Sequence, residues 1–316
     1  MSMLLVAEHF TQPPEWRWYI LLYFFLAGVA GGCYALGTML RLWGRPADES
    51  AARLCFLLVL PLVLICPILL TVDLGQPIRF WHMMADVGVG GPGLNFRYWS
   101  PMSLGVWGLL GFGLFDAISF LEVVALDGRV RYPLSGPIAR ALGGGLGRAV
   151  NVIGTLFAFF IATYTGVLLT VSNQPVWSDN WALGGLFLAS GMSGASALVT
   201  LFSRWRPSAE ASEPALAEAD GYFALLELAF IVYLFVSLAF AGQLLRTLAA
   251  PWLVLWLVAL LSLVPPLVRR FGGGLTVSSA GAASLSRVGL SATVTSVIVL
   301  VGVLAMRAAV IWSAQG

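Results

Sequence analysis

The sequence predicts an all-α, polytopic membrane protein, with eight transmembrane helices in one bundle and a single integral membrane domain over residues 1–316. Three observations predict it. Hydrophobic residues make up 59% of the chain and charged residues only 10%, with a mean hydropathy of +0.90. A soluble domain carries about 25% charged residues. The apolar residues fall into eight stretches, and nearly all are long enough to cross a hydrocarbon core of about 20 helical residues. The arginines between those stretches alternate between a rich side and a poor side.

The stretches cover 18–41, 52–72, 99–124, 148–171, 181–203, 221–245, 251–268 and 288–311. The seventh is the shortest and is marginal for a span. All 17 basic residues are arginine. One set of alternate connections holds Arg41, Arg45, Arg53, Arg129, Arg131, Arg140, Arg148, Arg204, Arg206, Arg269, Arg270 and Arg287. The opposite side holds only Arg17, Arg79, Arg97, Arg246 and Arg307. The positive-inside rule makes the first set cytoplasmic. Both termini are then expected on the outer side of a prokaryotic cytoplasmic membrane, as an even number of spans requires. Residues 1–16 contain acids and prolines and no basic run before an apolar core, so no signal peptide is expected and the first helix directs insertion.

Two connections differ from the rest. Residues 74–98 are long and combine Gly88, Gly90, Gly91, Pro92 and Gly93 with Trp81, His82 and Arg97. Apolar and aromatic side chains outside the bilayer suggest packing against another protein. Residues 206–220, rich in Ala, Glu and Pro, read as a solvated linker. Small residues thin several spans: Gly28 and Gly32 in the first, Gly105, Gly108 and Gly111 in the third, and Gly184, Gly191 and Gly194 in the fifth. Such residues let helices approach closely in lipid.

Several chemistries find no support in the sequence. Gly143-Gly144-Gly145 has no Lys-Ser/Thr after it, so there is no phosphate-binding loop. The net charge of +2 gives no sign of a nucleic-acid partner; the partner implied is the lipid membrane. Only His9 and His82 are present, both outside the spans, whereas membrane haems take ligands from helix interiors. Cys33, Cys55 and Cys66 lie in apolar runs and form no CxxC pair. Three thiolates are too few for an ordinary iron–sulfur cluster. No haem, no cluster and no other metal site are therefore expected in this chain. The cysteines read as small buried apolar side chains.

The second stretch ends in an acid. Asp73 sits at a helix C-terminus, where the macrodipole disfavours negative charge, and at a membrane edge, where ionisable groups are functional candidates. The outer end of the first span carries Trp18, Tyr19 and Tyr23; that of the second carries Thr71 and Asp73. The fourth ends just after Tyr164 and before Asn173 and Gln174. Two readings of this convergence stand. One is an aromatic belt with a solvated acid. The other is a slot for a quinone ring, which needs flat apolar walls, hydrogen-bond partners for two carbonyl oxygens and a proton acceptor.

The stretches Tyr23–Gly32 (YFFLAGVAGG), Asp73–Trp81 (DLGQPIRFW) and Tyr98–Trp107 (YWSPMSLGVW) together resemble the NrfD/PsrC family, the membrane subunits of polysulfide-reductase-type complexes. The resemblance covers the first three helices most closely and the eight-helix plan throughout. It implies a subunit that interacts with quinone or menaquinone and holds no haem. It implies electron exchange with a four-cluster, ferredoxin-like iron–sulfur partner, which in turn contacts a molybdopterin or other catalytic subunit. The family's carboxylate at the end of the second helix matches Asp73, and its tyrosine late in the fourth matches Tyr164. Tyr23 stands where some members carry a histidine, and Ile20 falls near a family asparagine. Arg79 and Trp81 complete the candidate quinone-binding set with Tyr23 and Tyr164. The quinone site lies within residues 1–171, the first four helices; residues 172–316 supply the last four.

Deeper acids extend the reading. Asp116 and Glu122 lie in the inner half of the third span, Glu227 lies in the sixth, and Asn151 starts the fourth. Either each caps or pairs locally, or together they line a proton path from the cytoplasm. A path would place Asp116 and Glu227 on facing helices. The function expected is that of the membrane subunit of a quinone-linked respiratory oxidoreductase, with terminal catalysis in another subunit and possible proton translocation. The rival is a proton-coupled secondary transporter, a class that usually shows repeats and helices broken at mid-membrane.

Overall fold

A computed structural model describes residues 15–86, 93–127, 135–178, 180–271 and 292–315. Its spans are α1 (Trp18–Trp43), α2 (Glu49–Asp73), α3 (Pro101–Asp127), α5 (Gly145–Thr170), α6 (Ala182–Ser203), α7 (Glu213–Phe240), the pair α9 (Trp252–Ser262) and α10 (Val264–Phe271), and α11 (Ala292–Ser313). Short helices α4 (Ser135–Leu142) and α8 (Leu244–Thr247) lie between them. Among the described residues, eight helical segments are long and apolar enough to cross a membrane, so the chain is an all-α, multi-pass integral membrane protein. Lipid offers no partner for backbone N–H and C=O groups, and helices satisfy theirs internally.

The first helix is the most enclosed. It packs against α2, α5, α6 and α11, and its neighbours are close because glycine faces glycine. A Cβ on Gly191 of α6 would lie 2.7 Å from the Gly28 carbonyl oxygen, well inside contact distance. Around this pillar, α3 packs on α2, α4 and α5, while α7 packs on α6 and α10. The two described ends meet: Trp16 N–H donates to Gln315 Oε1 at 2.9 Å, and the Trp16 ring stacks on Trp177 at 5.2 Å.

Three expectations need correction. Residues 206–220 are not a solvated linker. A 3-10 turn over Pro207–Ser212 runs straight into α7, which begins at Glu213. Ala209, Ser212 and Leu216 are buried, and Ser212 Oγ donates to Asp48 Oδ1 at 2.7 Å. Proline and glutamate in a first turn, followed by alanines, start a helix well, and that local preference prevails. The seventh span is broken at Leu263, because Pro265 and Pro266 lack the N–H groups that would continue α9. Arg307, counted above as a charge of the arginine-poor side, is instead fully buried within α11. The start of the expected eighth stretch, 288–291, is outside the described residues, as are Gly88, Gly90, Gly91, Pro92, Arg129, Arg131 and Arg287.

The connection after α2 is ordered locally. Pro77–Met83 forms a 3-10 turn, and Ala85–Asp86 (β1) pairs antiparallel with Gly93–Leu94 (β2). Asn95 Nδ2 donates to the His82 carbonyl at 2.8 Å, and Trp107 Nε1 donates to the Asn95 carbonyl at 3.1 Å. Ile78, Leu94, Tyr98 and Trp99 are all exposed there.

Candidate functional site

At the end of the bundle where α1 begins and α2 and α5 finish, these three helices bring three side chains together. Tyr23, Cys66 and Tyr164 are all buried, and Tyr23 is near enough to interact electrostatically with both partners. Tyr164 is fixed: its hydroxyl donates to the Pro101 carbonyl at 2.7 Å, and its ring stacks on Phe160 at 5.5 Å with 24° between planes. Gly105 leaves room for that ring, since a Cβ there would overlap it. Cys66 donates to the Leu62 carbonyl at 3.3 Å. Tyr23 packs beside Phe24, and among the described residues its hydroxyl makes no hydrogen bond.

Asp73 closes α2 seven residues beyond Cys66, or ~10 Å along the helix at about 1.5 Å per residue. It is half-buried, with no hydrogen bond or ion pair to its carboxylate among the described residues. Arg79 and Trp81 are exposed on the following 3-10 turn, where Trp81 lies 4.0 Å from the His82 ring. The candidate set therefore has two levels. Two phenols and a thiol form the buried floor, and the acid, arginine and indole stand nearer the surface. No hydrogen bond joins the two levels among the described residues.

The acids nearer the opposite end of the bundle separate into two clusters. In the first, Arg41 ends α1 and reaches three partners: Glu122 at 3.0 Å, Asn151 Oδ1 at 2.9 Å and Glu49 at 3.2 Å. Asn151 Nδ2 donates to Ser119 Oγ at 3.0 Å, and Ser119 Oγ is 2.7 Å from the Tyr34 hydroxyl. Asp116 lies one turn from Ser119 on α3, fully buried, and neither carboxyl oxygen has a hydrogen-bond partner among the described residues. A polar cleft of about 290 Å³ opens beside Arg41, Glu122 and Asn151.

In the second cluster, Ser193 of α6 donates to Asp220 Oδ1 at 2.6 Å, and Glu227 lies two turns further along α7. Glu227 interacts electrostatically with Asp220 and with Arg307. Arg307 Nη2 donates to the Phe187 carbonyl at 3.1 Å, and its guanidinium lies over the Phe187 ring against Gly28. The helix α3 packs on α5, α7 packs on α6, and α5 and α6 meet between them. Asp116 and Glu227 thus do not lie on facing helices, because α1, α5 and α6 fill the centre of the bundle.

Arg41, Tyr34, Ser119, Asp220 and Arg307 did not stand out in the sequence as members of these clusters. Arg41 reads there as an orienting charge, Asp220 as part of a linker and Arg307 as a connection residue. The usable signal was the placement of Tyr34 and Arg307 inside otherwise apolar helices. Among the described residues no group of three or more histidine, cysteine or acidic side chains is placed to hold a metal ion, and the three cysteines are free.

Comparison with known proteins follows the same lines. The chain is 27% identical to "Protein NrfD" of Escherichia coli (strain K12) over 222 residues, which is 66% of this chain and 65% of that protein. It is 26% identical to a polysulfide reductase subunit of Wolinella succinogenes over 184 residues, or 56% of this chain and 55% of that protein. The matches thus span somewhat less than two thirds of each relative's length. The family model described as "Polysulphide reductase, NrfD" matches residues 6–316, nearly the whole chain, and the protein belongs to that family.

Proposed function

We propose that this chain is the quinone-reactive membrane subunit of a respiratory oxidoreductase in a prokaryotic cytoplasmic membrane. It exchanges electrons between a quinol/quinone pool, menaquinone included, and a four-cluster, ferredoxin-like iron–sulfur subunit. Terminal catalysis belongs to a further subunit, of the molybdopterin type. One observation carries the reading: the buried Tyr23–Cys66–Tyr164 floor beneath a half-buried, unpartnered Asp73 at the outer ends of α1, α2 and α5. Phe160 and Tyr164 supply flat walls. The Tyr23 hydroxyl, free of other bonds among the described residues, is available to a carbonyl oxygen. Asp73 is the proton acceptor for quinol oxidation, which releases two electrons and two protons. Arg79 and Trp81 act at the entrance. The exposed side chains of Ile78, Leu94, Tyr98 and Trp99 form the surface for the iron–sulfur partner, and the outer orientation of both termini puts that partner outside the membrane.

We further propose that protons reach the membrane interior from the cytoplasm, through Glu122 and Asn151 toward Asp116, and separately toward Glu227. Support for the first branch is the continuous series Arg41, Asn151, Ser119, Tyr34, with unpartnered Asp116 beyond it. The rival transporter reading draws on the helix break at Leu263. It differs in requiring no partner. Replacing Asp73 by Asn tests the function. The complex should assemble, and artificial-dye activity at the catalytic subunit should survive. Quinone-coupled turnover should fall about 10²–10⁴-fold, the usual loss of a general base. Wild-type quinone turnover in an assembled Asp73→Asn complex removes Asp73 from the mechanism.

A further inference from the structure

The break in the seventh span leaves an apolar groove of about 480 Å³ between α9, α10 and α11, lined by Leu261, Val264, Pro265, Val297, Ile298 and Val301. Leu261, Val264, Val297 and Val301 are exposed, within segments that cross the bilayer. The floor is formed where Ser262 packs directly against Gly302. The groove's character changes toward the arginine-rich end of the bundle. Pro265 and Arg269 are four residues apart, so they share one face of α10. Arg269 is exposed and adjoins Thr295 and Ser296, which directly precede the groove residues Val297 and Ile298 on α11. Thr293, one turn below Val297 on the same face, carries a hydroxyl with no hydrogen-bond partner among the described residues. Arg270 follows but turns to α7: its stem lies against Gly221, and its guanidinium donates to the Tyr222 hydroxyl and stands 3.6 Å from Glu218.

An apolar trough in the hydrocarbon region that ends in an exposed arginine and hydroxyl groups at the interface has the polarity of a phospholipid. From this geometry we infer that the groove binds one anionic glycerophospholipid of the arginine-facing leaflet. The acyl chain lies along Val301, Val297 and Val264 past the helix break, and the phosphate meets Arg269. From Val264 to Arg269 is five residues, or about 7–8 Å along α10 at ~1.5 Å per residue, which is within the reach of a glycerol backbone and phosphate. Basic pockets between transmembrane helices recognise anionic head groups in this way. The site is remote from the outer ends of α1, α2 and α5 and is independent of the quinone reading.

The full chain, purified in detergent, would be titrated with phosphatidylglycerol and with phosphatidylcholine of the same acyl chains, and binding counted by native mass spectrometry. One phosphatidylglycerol should bind more tightly than the rest. Arg269→Gln should weaken that binding on the order of five-fold, the effect of about one interfacial charge, with little change for phosphatidylcholine. Val301→Trp, which fills the groove, should remove it. A photoreactive phosphatidylglycerol with a diazirine in its chain should label residues 297–301 or 261–265 of the unaltered protein, so the outcome does not depend on a variant folding. Soluble glycerophosphate should not compete. Equal binding by wild type and Arg269→Gln overturns the inference. So do labelling confined to other helices, and recovery of quinone from the groove in place of phospholipid.

Discussion

Replacing Arg41 by Met should destabilise the protein far more than the loss of any exposed ion pair. The guanidinium is 10% exposed, and its partner Glu122 is 6% exposed. By contrast, Arg17 and Glu15 are 67% and 87% exposed. Pairs of the second kind contribute between zero and about 1 kcal/mol. Removing one partner of a buried pair leaves the other charge uncompensated, at a cost of about 3–5 kcal/mol. Arg41 also donates to Asn151 Oδ1 at 2.9 Å, and its guanidinium lies 4.7 Å from the Phe56 ring centroid. Arg41→Met keeps much of the packing on Phe56 and removes the charge. Glu122→Gln should then rescue it, because the neutral amide leaves no buried carboxylate behind. Reversible unfolding in mixed micelles, run as a double-mutant cycle, measures the result. The single Arg41→Met variant should lose most of that 3–5 kcal/mol, and the double variant should recover the larger part. Equal loss in the single and double variants would show that the pair is not what holds this end of the bundle, and would refute the reasoning.

The other expectations can be checked together. Reporter fusions after residues 47 and 210 should read cytoplasmic, and one at residue 88 external; the reverse pattern would move the candidate quinone site to the inner face. Because Asp116 and Glu227 belong to separate clusters, Asp116→Asn and Glu227→Gln should have independent effects on proton uptake by vesicles containing the whole complex, with electron transfer retained; if the wild-type complex moves no protons beyond those of the quinone chemistry, both acids are structural. An absorption spectrum of the pure subunit should lack a Soret band, and metal analysis should find no stoichiometric iron; either signal would refute the cofactor assignment.

The spans were legible in the sequence because length and hydropathy alone determine them. Asp73 and Tyr164 were legible because each ends a span on the same side. The two clusters were not. The Arg41–Asn151 contact joins residues 110 apart in sequence, and the Arg307–Phe187 contact joins residues 120 apart. A hydropathy window averages over all faces of a helix and cannot tell that Arg307 points at Gly28 rather than at solvent. The α7 start was hidden for the opposite reason. Residues 207–220 look polar enough to be solvated, yet Asp48 and the inner ends of neighbouring helices bury one side of them. Arg79 and Trp81 follow Asp73 closely in the motif, but the 3-10 turn carries them to the surface.

The central position of α1 has a consequence for biogenesis. Of the described spans translation makes α1 before the others, yet its four neighbours follow later, and the last, α11, begins only at Ala292. Until then the glycine face at Gly28 has no guanidinium against it. Arg307 must enter the membrane after the seven earlier spans, into a slot already lined by the Phe187 carbonyl. A nascent chain halted before α11 therefore leaves an open seam along α1. The last of the described spans is thus the one that closes the bundle around the first.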